Sequence, residues 1–191
     1  LLPNVPHFCI SYYAAIVAGG IAVPLNFMHD ADELEHQIQD SGAKALIVWQ
    51  SFLPQVQRAY QASSACKEML ILGDRLFADG HSLTQLISKF SPLENYPEIS
   101  DTDIAVINYT SGITDEAMGA ELTHKAISAG AKTCIDMYKL SPQEKLIAVL
   151  PLFHPLGQTL VMHASLVAGA SIVVLPRFKP AEVIESIRKH E

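Results

Sequence analysis

Short runs of consecutive apolar residues recur along this chain, each too brief for a helix and each followed by a stretch with helical spacing. The runs fall at residues 21–25, 44–49, 69–72, 104–108, 146–150 and 171–175. A strand that is apolar at successive positions has both faces buried, and a largely parallel sheet with helices on both faces supplies that environment. The intervening segments 7–18, 31–40, 52–62, 83–90, 125–138, 157–167 and 181–190 read as those helices. Pro6 suits the start of the first helix and Gly19-Gly20 its stop, while Asp30 is placed to cap the second and Gly42 to end it. The spacing therefore predicts an α/β fold. Residues 91–103 hold two prolines, four acids and no base, and form a solvated connection between a first α/β portion, 1–100, and a second, 101–191.

Composition narrows the function. With 191 residues, 49% of them hydrophobic and only 17% charged, the chain can bury a core and is not disordered. A net charge of −7 argues against nucleic acid or an anionic membrane as partner, because either calls for a basic face. Residues 1–29 and 146–176 lack Asp, Glu, Lys and Arg, yet Gly19, Gly20 and Pro24 break the first stretch, and Pro151, Pro155, Gly157 and Gln158 the second. Buried helix-strand units, rather than membrane spans, are expected there. Cys9, Cys66 and Cys134 are odd in number and far apart, which implies no disulfide framework and fits a reducing, cytoplasmic setting. No two of the eight histidines have the spacing of a helical zinc site. The chain begins at Leu1 with no basic flank, which reads as a piece of a longer protein without a signal peptide.

The segment after residue 108 carries the chemical signal. Thr110, Ser111 and Thr114 offer hydroxyls, and Gly112 and Gly119 permit close approach of backbone N–H groups to an anion. In an open parallel sheet, ligands bind beyond the carboxyl ends of the strands, where this segment lies. The reading from the residues alone is a phosphate-cradling loop, against the alternative of an ordinary polar loop that binds nothing.

Tyr109, Thr110, Ser111, Gly112, Thr114, Gly119, Thr123 and His124 resemble the motif Tyr-Thr-Ser-Gly-Thr-Thr-Gly-x-Pro-Lys-Gly-x-x-x-Thr-His of the adenylate-forming enzymes. Leu150, Pro151, Leu152, Phe153, His154 and Gly157 are similar to that family's Leu-Pro-Leu-Phe-His-x-x-Gly. Asn4, residues 18–26, Glu33 and Leu34 resemble its opening helix-strand unit. The resemblance implies an AMP-forming acyl-CoA synthetase, of which residues 1–191 would be part of the large N-terminal domain without the C-terminal domain. ATP, Mg²⁺ and coenzyme A are the implied cofactors, and a small carboxylic acid, fatty or aryl, the implied substrate. The resemblance places the phosphates at Thr110, Ser111, Gly112, Thr114 and Gly119, with Mg²⁺ near Ser111 and Thr114. It places His154 beside the acyl carboxylate. Phe153-His154, where amino-acid-activating relatives have Phe-Asp, favours an acyl or aryl acid.

The departures are electrostatic. Asp115, Ala117 and Met118 stand where the family has glycine, proline and lysine, and no Lys or Arg lies between Tyr109 and His124. One unit charge at ~4 Å from another is worth about 4 kcal/mol at an effective dielectric near 20. Losing the lysine and adding Asp115 thus weakens the case for tight triphosphate binding. A non-catalytic relative, serving as a binding or assembly module, is the alternative function. For His124 a capping or packing role is expected, and for Tyr12 and Tyr13 a place at the core and its rim.

Overall fold

The structure is a computed structural model that describes residues 1–73, 80–110 and 117–190. Three small sheets run through the described residues. Strands β1 (Ala45–Trp49), β2 (Glu68–Leu72) and β3 (His81–Ser82) pair in parallel, as do β6 (Lys145–Ala148) and β7 (Ser171–Val174). Strands β4 (Ile104–Tyr109) and β5 (Gly119–Thr123) form an antiparallel hairpin. The apolar run at 21–25 contributes one parallel bridge rather than a full strand: Ala22 N–H donates to the Ala105 carbonyl and Ala22 C=O accepts from Ile107, both at 2.9 Å. Pro24, which lacks a donor, is consistent with so short a pairing.

Seven helices accompany the strands among the described residues: α1 (Pro6–Val17), α2 (Ala31–Asp40), α3 (Leu53–Ala62), α4 (Leu83–Lys89), α5 (His124–Tyr138), α6 (Ala164–Ala168) and α7 (Pro180–His190). Alternation along β1 explains the layering. Leu46 and Val48 enter one core with Leu34 and Ile38 of α2, Val56 and Ala59 of α3, and Met69 and Ile71 of β2. Ile47 and Trp49 face a second core built from Phe8 and Tyr12 of α1, Val106 of β4, Ala148 of β6, and Leu152, Phe153 and Met162. Successive side chains on a strand point to opposite faces, so one short apolar run serves both layers. The second core draws residues from both sides of the 91–103 connection.

The start of α2 follows the expectation for Asp30 in full. Its Oδ1 accepts from the N–H groups of Asp32 (3.0 Å) and Glu33 (2.9 Å), and Glu33 Oε2 accepts from Asp30 N–H at 3.1 Å. This reciprocal capping box satisfies donors that the first helical turn leaves open. At α5 the cap is Thr123, whose Oγ1 accepts from Ala126 N–H at 3.2 Å, so that His124 becomes the first helical residue. Tyr12 is buried and Tyr13 packs beside it, ring centroids 5.5 Å apart.

The segment expected as a plain helix over 157–167 has two parts, a π-helical stretch Gly157–His163 and then α6. Gln158, Val161, Met162 and His163 are all buried there, which the wider π turn permits by bringing polar and apolar side chains onto one inward face. No helix among the described residues is long and apolar enough to cross a membrane.

Replacing Asp30 by alanine removes the α2 cap and is expected to cost about 1 kcal/mol of stability, read as a lower urea midpoint at unchanged slope.

Candidate functional site

Two segments singled out by sequence leave the carboxyl ends of two strands. The first follows β4. Instead of one long polar loop, the chain turns back into β5, pairing Tyr109 with Gly119. Thr110 closes the hairpin: its N–H donates to the Met118 carbonyl at 3.0 Å, and Met118 N–H donates to Thr110 Oγ1 at 3.3 Å. Gly119 has a packing reason for lacking a side chain, since a Cβ would lie 2.7 Å from Ile107 Cγ2 and 3.3 Å from the Tyr109 ring. Ser111, Gly112 and Thr114 lie outside the described residues, as does Asp115. Met118, at the position of the family's lysine, is 72% exposed.

Helix α2 holds the base of this hairpin. Tyr109 Oη donates to Asp40 Oδ2 at 2.6 Å, and His36 Nε2 lies 3.0 Å from the Ala117 carbonyl, which accepts from it. Burial, and next the Asp40 carboxylate, push the Tyr109 phenol above its ordinary range, so it stays a proton donor. None of these α2 contacts was visible in the motif itself.

The second segment follows β6. The Asn4 side chain donates to the carbonyls of Ala148 (3.1 Å) and Leu150 (2.9 Å) and accepts from Leu152 N–H at 2.8 Å. One buried amide thus fixes the backbone leading into Phe153 and His154. His154 N–H donates to the Pro151 carbonyl at 3.1 Å. A Cβ at Gly157 would overlap that same carbonyl, so only glycine allows the turn to close against the π-helical stretch. His154 itself is exposed, and its Nδ1 accepts from Leu156 N–H at 3.2 Å. The neutral ring then carries its proton on Nε2, leaving a donor suited to a carboxylate oxygen.

A third amide connects the two segments. Gln158 Nε2 donates to Asn108 Oδ1 at 3.1 Å and to the Phe153 carbonyl at 2.9 Å, and Asn108 Nδ2 donates back to Gln158 Oε1 at 3.4 Å. Asn108 immediately precedes Tyr109, and Phe153 immediately precedes His154. The strand end feeding the hairpin and the turn bearing His154 therefore share one buried hydrogen-bonded unit. Sequence reasoning used Gln158 only as a break in an apolar stretch and gave Asn108 no role, although each is an isolated amide in an apolar run, and buried amides require partners.

Behind this unit the π-helical stretch ends at His163. Tyr13 Oη sits 2.6 Å from His163 Nδ1, and Tyr12 packs on the same ring with centroids 5.3 Å apart. Burial lowers the His163 pKa from 6.5 to about 4 and raises that of Tyr13 to about 12. The phenol consequently donates to a neutral imidazole.

Comparison with known proteins matches all of residues 1–191 to the family model described as AMP-binding enzyme. A long-chain-fatty-acid–CoA ligase of Bacillus subtilis is 30% identical, over 100% of this chain and 39% of its own length. Apo MatB from Rhodopseudomonas palustris superposes with a TM-score of 0.84 at 26% identity, over 98% of this chain and 36% of that one. The anthranilate CoA ligase AuaEII, solved with anthranoyl-AMP, gives a TM-score of 0.89 at 23% identity, over 100% of this chain and 36% of that one. That last likeness speaks to the fold. The chain spans between a third and two-fifths of the length of these relatives.

The sign of the pH dependence follows from His163. Its folded pKa lies below its unfolded value, so the unfolded chain takes up a proton first, and stability is lost as pH falls from 6.5 towards about 4. The loss is on the order of 3 kcal/mol. Denaturant midpoints at stepped pH are expected to show the stability advantage of the wild type over His163→Leu shrinking across that interval.

Proposed function

Because the chain belongs to the AMP-binding enzyme family, we propose that it supplies the phosphate-binding hairpin and one wall of the acyl site of an AMP-forming acyl-CoA ligase. In that reading it is part of the large N-terminal domain. A carboxylate oxygen attacks the α-phosphorus of ATP, the bond to the β-phosphate breaks, and pyrophosphate leaves. The thiol of coenzyme A then attacks the acyl carbon, loses its proton, and displaces AMP. The reading rests on one observation above others: the residues entering the hairpin and those entering the His154 turn meet in a single buried amide unit.

The roles follow from position. Thr110 and Gly119 form the described rim of the phosphate site, and Ser111, Gly112 and Thr114 belong to it by sequence. Thr110 Oγ1 accepts from Met118 N–H at 3.3 Å and donates to the Met118 carbonyl at 3.4 Å, a long bond that the hydroxyl would exchange for one to a phosphate oxygen. Mg²⁺, when bound with the nucleotide, neutralises phosphate charge, and the Ser111 and Thr114 hydroxyls suit a hard cation. His154 offers its Nε2–H to the acyl carboxylate and orients it without removing its charge. A fatty or aryl acid is the proposed substrate class. The three cysteines, free in the structure, fit a cytoplasmic setting.

A second reading has support of its own. Exposed Met118 puts a thioether where an ammonium would meet the triphosphate, and Asp115 and Glu116 add negative charge. This favours a relative that has lost ATP and serves as a binding or assembly module.

Pyrophosphate exchange with a panel of fatty and aryl acids, measured on the natural protein at full length, separates the two. The ligase reading expects exchange with at least one acid and its loss in His154→Ala. The module reading expects none, with calorimetric ATP binding regained in Met118→Lys combined with Asp115→Gly. In an active enzyme, Met118→Lys alone is expected to tighten ATP binding roughly tenfold, the effect of about 1.4 kcal/mol from one charge at an exposed rim.

A further inference from the structure

We propose that Asn108 and Gln158 are positioning residues that set the nucleotide hairpin in register with the carboxylate-binding turn; this rests on the ligase reading. Asn108 is 5% exposed and Gln158 2%, so both amides face protein rather than solvent. Their two amides exchange hydrogen bonds in both directions, at 3.1 and 3.4 Å, across 50 residues of chain. Gln158 spends its remaining donor on the Phe153 carbonyl at 2.9 Å. The backbone reinforces the link, because Gln158 N–H donates to the His154 carbonyl at 3.0 Å. A displacement of β4's end is thus transmitted to the peptide units on both sides of Phe153 and His154.

Adenylation needs that register. The carboxylate oxygen, held from the His154 side, must lie in line with the phosphorus, held from the hairpin side, and bond formation to phosphorus accompanies breaking of its bond to pyrophosphate. A misplacement of about 1 Å costs such a reaction on the order of a hundredfold. Thioester formation from a finished acyl-adenylate has no such requirement, since acid and phosphate are already joined. An amide pair suits the task better than an apolar contact, because reciprocal bonds fix direction as well as distance.

The test uses the natural protein at full length, with Asn108→Leu, Gln158→Met and the double variant. Each single variant is expected to lower kcat for pyrophosphate exchange about 30- to 100-fold while KM for ATP and acid stays within about threefold. The rate of thioester formation from supplied acyl-adenylate and coenzyme A is expected to stay within about twofold of wild type. The double variant removes the Asn108 amide that Gln158→Met leaves unpaired, the Phe153 carbonyl losing its donor in both, so its melting temperature is expected to rise above that of Gln158→Met while exchange stays low. Recovery of exchange along with melting temperature, from Gln158→Met to the double variant, would show a purely structural pair and overturn the proposal, as would equal losses in both half-reactions. If a single variant does not fold, the double variant decides. Wild-type protein inactive in exchange with every acid would sink the ligase reading, and this proposal with it; active wild type with unimpaired variants would sink this proposal alone.

Discussion

Three buried amide side chains, those of Asn4, Asn108 and Gln158, organise everything that surrounds the candidate site. Each sits where the chain is otherwise apolar, and each bonds to backbone or to another amide in a segment distant in sequence. An amide in a core is tolerable only when its donors and acceptors are met, and meeting them leaves one allowed geometry. Hydrophobic contacts bring β4, β6 and the π-helical stretch together. The amides determine how the strand ends are aligned once they have met.

The hairpin shows the same division of labour. Its closure at Thr110 and Met118 is local backbone pairing, but its attachment to the molecule comes from α2, through Asp40 on Tyr109 and His36 on Ala117. A helix as acidic as α2 is most simply a solvated face. Part of it is: Asp32 and Glu35 pair with exposed Arg58 of α3. Asp40 is different, because its carboxylate accepts the Tyr109 hydroxyl at 2.6 Å and so ties α2 to the end of β4. The π-helical stretch adds a polar face carrying Gln158 at one end and His163 at the other, so site geometry and acid sensitivity arise from the same seven residues.

Much of the architecture was legible from the chain. Consecutive apolar residues placed β1, β2, β4, β6 and β7 to within a few positions, because burial on both faces demands them. Asp30 announced its capping box through the acids that follow it. Other features were hidden for physical reasons. Strand β5, with the sequence Gly-Ala-Glu-Leu-Thr, has neither alternation nor an apolar run and is a strand only because β4 offers it a partner. The run at 21–25 looks stronger than β5 and makes a single bridge, since Pro24 limits its pairing. The π turn left no trace in a pattern that an α-helix would satisfy equally well.

Of the site, sequence alone determined the chemical inventory: hydroxyls and glycines after β4, a histidine after Phe153, and the absence of a loop cation where Met118 stands. Those are properties of residue type and spacing, and they travel with the chain whatever its surroundings. Only the tertiary structure decided which amide answers which carbonyl, that His154 Nδ1 is taken by the Leu156 N–H, and that α2 grips the hairpin. A hydrogen bond needs two groups within about 3 Å and in line, and for partners separated by tens of residues that coincidence exists only after the cores have packed.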